Sequence, residues 1–325
     1  MTKSKINYKY LSQNLFLIML IVIISLMIIV PSIAITNFFD GIIIWAKNVL
    51  PALLPFFILS RLLTFTPLFN KIGKILSPIT QKLYGVGGES GYIYIMSILS
   101  GYPIGAKLTA DLYTSNNITT GQAQTISSFT STSGPLFIIG TVAIGFYNSI
   151  KLGIIVITSH FLSAIINGLI YRQRNTTCQI NFTASHNSTN ILGDTMKSSI
   201  DSILMIGGFI ALFYMVLQTL IHIKAFSFIS YPLSILGITP DISTAIISGL
   251  IEVTSGALML SNTSLPFKLQ AIILSFLVSF GGFSIHAQAY TYLKAFNMPY
   301  YKFFLQKITH SIISTIITFL IIIFI

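Results

Sequence analysis

Ser100-Gly101-Tyr102-Pro103-Ile104-Gly105-Ala106-Lys107 breaks an apolar stretch with Gly, Pro and Ser, and Ser128-Phe129-Thr130-Ser131-Thr132-Ser133-Gly134-Pro135-Leu136-Phe137-Ile138 breaks the next one. About half a chain later the same order returns. Glu252-Val253-Thr254-Ser255-Gly256-Ala257 is followed by Ser275-Phe276-Leu277-Val278-Ser279-Phe280-Gly281-Gly282-Phe283-Ser284-Ile285. Gly105 aligns with Gly256, and Ser128, Phe129, Gly134 and Ile138 with Ser275, Phe276, Gly281 and Ile285. Unwound backbone in a bilayer must be buried in protein or line a cavity, so matched interruptions in two halves point to a transporter binding site.

The composition requires a membrane. Of the 325 residues, 54% are hydrophobic and 8% charged, where soluble domains carry about a quarter charged residues. The net charge of +11 is spread over short segments between apolar runs, as an orienting signal is. No basic patch with interleaved aromatics marks a nucleic-acid surface. A lone Cys178 excludes an internal disulfide and a CxxC metal site.

The expected fold is all-α and integral to the membrane. Leu15 to Ile35 is long enough to cross; its alternative is a cleaved signal peptide ending near Ser32-Ile33-Ala34. Ile42 to Phe65 forms the next span, kinked by Pro51 and Pro55. Phe69 to Tyr84 lies at the interface, Ser90 to Tyr113 makes a re-entrant hairpin, Thr120 to Phe146 a discontinuous helix, and Lys151 to Tyr171 a span. The second half repeats that order from Ser199 to Ile325. Residues 1–37 thus hold the tail and first transmembrane helix, 38–172 the first repeat, 173–196 a cytoplasmic linker and 197–325 the second repeat. Three crossings per repeat invert the second relative to the first. With the N-terminus cytoplasmic, thirteen basic residues fall on the cytoplasmic side, Lys307 among them, against four outside. The C-terminus is then outside.

Site candidates follow from the breaks. Gly101, Tyr102 and Pro103 precede a half-helix whose free amides and positive dipole end suit a carboxylate or phosphate, with Lys107 one turn on. Lys107 has two other options, snorkelling to the interface or pairing with Asp111. Ser131, Thr132, Ser133 and Gly134 line the second break with hydroxyls and amides. In the second half the counterparts are Glu252, Thr254, Ser255, Gly281, Gly282 and His286, the last beside Gln288. Glu252 is the candidate for proton or sodium coupling, for accepting substrate hydrogen bonds, or for pairing with Lys107; an inter-repeat salt bridge is the structural alternative. For His286 the alternative is packing. No metal-ligand cluster, Walker lysine, GxSxG or paired acids are present, so no enzyme, metal or cofactor is expected.

At Gly101 to Leu108, Ser133 to Ile138 and Glu252 to Gly256, the chain resembles the YlbJ-type sporulation integral membrane proteins of endospore-forming bacteria, in the nucleoside-recognition or Gate membrane-domain group. The resemblance runs over nearly all of the chain from about Gly41. The family's order of elements is similar to that of concentrative nucleoside transporters. The resemblance implies a role in sporulation, moving dipicolinic acid out of the mother cell across the mother-cell-derived membrane around the forespore. It assigns no individual substrate contacts. The expected partners are the lipid bilayer and a small anion, with no nucleic acid and with a homo-oligomer left open. The competing functions are a nucleoside or nucleobase carrier and a membrane gate or assembly factor that transports nothing.

Overall fold

The computed structural model describes residues 8–173, 190–235 and 237–325, and every regular element among them is helical. Cys178, Arg174 and most of the expected linker lie outside the described residues, as do Lys3 and Lys5. Among the described residues four helices are long and apolar enough to cross a membrane, or five if the bent pair Leu20–Ile29 and Pro31–Lys47 is one span: α8 (Ile150–Ile170), α9 (Ile191–His222), the stretch Phe267–Phe296, and α15 (Tyr300–Ile323).

The first apolar run departs from the single span expected. α1 (Tyr8–Ile29) and α2 (Pro31–Ile44) meet at a bend of 111°. Pro31 has no N–H to continue the ladder, and Val30 leaves helical geometry at φ −128° and ψ 60°. After α2, a widened π-turn over Trp45–Val49 leads into α3 (Leu50–Thr64). Pro51 stands in the first turn of α3, where its missing amide costs no helical hydrogen bond.

α4 (Pro67–Tyr84) has two unlike faces. Gly73, Ser77, Thr80 and Tyr84 recur at helical spacing and are buried, while Lys71, Lys74 and Lys82 are exposed beside Ile75 and Ile79. This small-residue face packs on α5 (Glu89–Ser100). Gly101 then turns the chain at φ +75° into α6 (Ile104–Thr114), which folds back against α5.

α7 (Thr120–Thr130) opens with a reciprocal capping box between Thr119 and Gln122. It stops at Thr130. Residues 131–134 run non-helical, and a wide π-helical segment, Leu136–Phe146, resumes after Pro135. In the second half a short α10 (Ser227–Ile235) precedes α11 (Pro240–Ile251) and α12 (Val253–Ser261), separated by Glu252 alone. α13 (Phe267–Phe280) and α14 (Gly282–Leu293) are separated by Gly281, and both glycines there have positive φ. The structure therefore has its breaks at all four expected positions.

Two cores flank the breaks. One gathers Tyr92, Phe129, Phe296 and Phe303 with Ile203 and Ile206 of α9; the other gathers Ile138 and Val142 with Leu274, Leu277 and Val278 of α13. α8, α13 and α15 pack side by side behind them.

Candidate functional site

In each half the tip of the helix pair meets the break of the discontinuous helix. A Cβ placed on Gly101 would approach the Gly134 amide nitrogen to 2.6 Å. A Cβ on Gly282 would come within 3.1 Å of the Gly249 carbonyl and 3.2 Å of the Val253 amide. Only glycine combines these approaches with φ values of +75° and +73°. The halves also touch. The Tyr102 hydroxyl donates to the Ser279 carbonyl at 3.4 Å, two residues before Gly281.

A cavity of about 120 Å³ opens between these tips. The polar part of its lining comes from the breaks: Gly101, Tyr102, Ser133, Gly134, Glu252 and Thr254, with Ser100, Ser284 and Gln288. The rest of the lining is apolar: Ile44, Val49 and Leu53 on the α2–α3 arm, Ile206 and Ile210 on α9, and Leu99, Phe137 and Ile285 from the break helices themselves. Such a division suits a small flat solute with polar substituents on one edge. α6 and the helix after Pro135 start at the polar wall with no side-chain cap. Their first amides are therefore unclaimed by side chains.

Glu252 is placed differently from a free coupling group. It is the N-cap of α12, and its carboxylate accepts from the Thr254 amide at 3.0 Å, the Ser255 amide at 2.7 Å and the Ser255 hydroxyl at 2.8 Å. The anion that the α12 terminus favours is already supplied by the chain. Ser255 is consumed by this cap. Glu252 is 5% exposed and remains in the cavity wall.

Lys107 pairs neither with Asp111 nor with Glu252. Its ammonium donates to Ser198 Oγ at 2.8 Å, the Ser198 carbonyl at 3.1 Å and Ser202 Oγ at 2.5 Å, all on α9. Asp111 lies 3.8 Å from Arg61 instead. Lys107 lines a separate, open groove of about 370 Å³ with Lys197, Asp194 and Asp201.

The cation at the breaks is Lys307, which the charge pattern placed at the cytoplasmic side. It is 1% exposed and sits two turns inside α15. The reason is its partners: the ammonium donates to the Tyr102 hydroxyl and, at 2.9 Å, to the Ser131 carbonyl left open where α7 ends, and it lies 4.6 Å from the Tyr102 ring centroid. Among the described residues no carboxylate pairs with it.

The other predicted residues stand behind the wall. Pro103 is the residue before α6, and its first turn begins at Ile104 rather than at the proline. The Ser131 hydroxyl is buried without a partner, and Thr132 Oγ1 lies 3.0 Å from Ser97 Oγ on α5. His286 does not reach the cavity. Its Nε2 is 3.0 Å from the Phe280 carbonyl freed at the α13 break, its Nδ1 is 3.2 Å from the Tyr300 hydroxyl, and Phe280 and Phe303 enclose the ring. Packing and closure of the helix end describe its contacts.

Several residues at the breaks went unread in the sequence. His160 Nε2 accepts the Ser133 amide at 2.9 Å, and His160 Nδ1 lies 2.8 Å from Ser279 Oγ. Asn167 donates to the Ser128 and Gln306 carbonyls at 2.7 and 3.0 Å. The signal was present as polar residues at helical spacing inside apolar helices. Ser159, His160, Ser163 and Asn167 on α8 face Gln306, Lys307, His310 and Ser311 on α15, and all are buried.

No protein-family profile and no solved structure matches the chain. The sporulation integral membrane protein YlbJ of Bacillus subtilis (strain 168) is 32% identical over 307 residues, covering 86% of this chain and 75% of the relative. On that match the chain belongs to the family of the sporulation integral membrane protein YlbJ.

Proposed function

We infer that this protein is a carrier of a small anion, dipicolinate, moved out of the mother cell during sporulation across the membrane that surrounds the forespore. The observation that carries the reading is Lys307: a fully buried lysine with no carboxylate partner among the described residues, bonded to Tyr102 in the cavity wall and poised to be charged when an anion binds. An intramembrane charge is expensive and marks a substrate path by default. The sporulation role of the relative supports the setting.

Dipicolinate fits the division of the cavity. Its flat ring lies on the apolar wall of α3 and α9, and its carboxylates face the Ser133–Gly134 and Gly101–Tyr102 backbone near Lys307. Lys107 and Lys197 in the open groove are balanced by Asp194 and Asp201, so that groove attracts the anion only weakly. Glu252 keeps α12 in register and bars a third anionic group from that terminus.

In this reading residues 38–172 and 197–325 form two inverted repeats, each with span, interfacial helix, hairpin, broken helix and span. The paired tips move together as the cavity opens to alternate sides. The test is spore dipicolinate in cells lacking the gene and complemented with wild-type or Lys307→Met protein at equal abundance. A carrier leaves the Lys307→Met spores depleted with dipicolinate retained in the mother cell. Normal spore dipicolinate with Lys307→Met contradicts the reading and favours an accessory membrane role.

A further inference from the structure

His160 on α8 has no exposed surface, and its imidazole touches both discontinuous helices at their breaks. A backbone amide only donates, so Nε2, which accepts the Ser133 N–H at 2.9 Å, carries no proton. The ring is therefore neutral, and its one proton is on Nδ1, directed at Ser279 Oγ 2.8 Å away. Ser133 is in the cavity wall, and Ser279 lies two residues before Gly281. One neutral imidazole thus ties the break of the first half to the break of the second.

This tie cannot survive protonation. An imidazolium has donors at both nitrogens, and a donor facing the Ser133 N–H must part from it. The amide that is released belongs to the cavity wall and becomes free to donate to an anionic oxygen. The groups facing the ring set when this happens. α15 presents His310, whose ring lies 4.8 Å away and whose Nε2 is 3.0 Å from the His160 carbonyl, together with Lys307. α13 presents Ser279, the break presents Ser133, and Phe161 packs at the ring edge. Every titratable group among these is cation-forming, so an added proton is disfavoured; an anion in the cavity offsets that repulsion, and the two bind best together.

We propose that His160 is the proton-binding site of the carrier: a proton taken up on Nε2 breaks the bond to the Ser133 amide, unlatches the two breaks and hands that amide to the anion. Proton and anion then cross in the same step, and loss of the proton restores the Ser133–His160 bond. Coupling in this sense rests on the carrier reading, whereas the latch itself does not.

The experiment uses the purified full chain and His160→Gln, whose amide offers an acceptor and a donor without titrating. Hydrogen exchange of the peptide spanning 131–134, corrected for intrinsic rates, is followed from about pH 8 down to about pH 3, below the ordinary imidazole range because His310 and Lys307 repel the added proton. Protection of this segment should fall several-fold on acidification in the wild type and stay level in His160→Gln. Equal profiles in the two proteins overturn the proposal. Dipicolinate uptake into proteoliposomes, against protein-free vesicles, should rise several-fold with an acid-outside gradient in the wild type and lose that dependence in His160→Gln. Uptake indifferent to the gradient overturns the proton site and leaves the carrier standing. Acid-sensitive exchange with no uptake sinks the carrier and keeps the latch.

Discussion

Lys307, on the last helix, donates a hydrogen bond to the hydroxyl of Tyr102 at the tip of the first hairpin, and the two are 205 residues apart in the chain. That bond joins the tip to α15, and the Ser131 carbonyl on the same ammonium adds the broken helix. Tyr102→Phe keeps the ring but removes the acceptor. A buried donor left without a partner costs about 1–3 kcal/mol, so thermal unfolding in detergent should shift down by that amount. Dipicolinate affinity should fall as well, because Lys307 is then no longer held at the cavity wall. An unchanged melting point with unchanged affinity would show that the bond organises nothing.

The two intramembrane lysines should separate cleanly. Lys307→Met removes the cation at the breaks and should lower dipicolinate flux by at least about tenfold, the loss of one buried charge contact of about 1.5–3 kcal/mol. Lys107→Met, in the open groove, should cost less than about threefold, as weak steering charges do. Comparing initial rates at saturating and low substrate decides the point, and the reverse order would move the site to the α6–α9 groove.

Glu252→Gln tests the cap against a coupling role. The amide retains one acceptor but loses the charge at the α12 N-terminus, a change of about 0.5–2 kcal/mol in stability. Gradient dependence of uptake should persist in this variant, since the proton is assigned to His160. Flux that continues but no longer responds to the gradient would assign coupling to Glu252.

Gly101→Ala brings a Cβ against the Gly134 backbone at a φ of +75°. Strain of about 1–3 kcal/mol is expected from the dihedral before the collision is counted. The expected outcome is a lower melting temperature and loss of dipicolinate binding together. Gly140→Ala, where a Cβ meets nothing within 4 Å, is the matched control.

The breaks were legible in the sequence because Gly, Pro and clustered hydroxyls disrupt helices locally, and local disruption is what a single chain displays. Gly101, Gly134, Glu252 and Gly281 all stand at observed interruptions. What each break is bonded to was not legible, because those partners arrive from α8 and α15. Lys307 read as a cytoplasmic charge since its distance from the end of α15 says nothing about Tyr102. Glu252 read as a lone acid because the cap it makes depends on α11 stopping one residue earlier. The bend at Pro31 was hidden by the unbroken hydrophobicity around it.

Transport of dipicolinate through the cavity at the breaks under the control of Lys307 is measured most directly by counterflow of labelled dipicolinate into proteoliposomes preloaded with unlabelled dipicolinate, with Lys307→Met protein and labelled uridine alongside. Saturable dipicolinate exchange is expected from the wild type, with none from Lys307→Met and no uridine exchange. Uridine exchange without dipicolinate exchange, or equal dipicolinate exchange by the two proteins, would contradict that assignment.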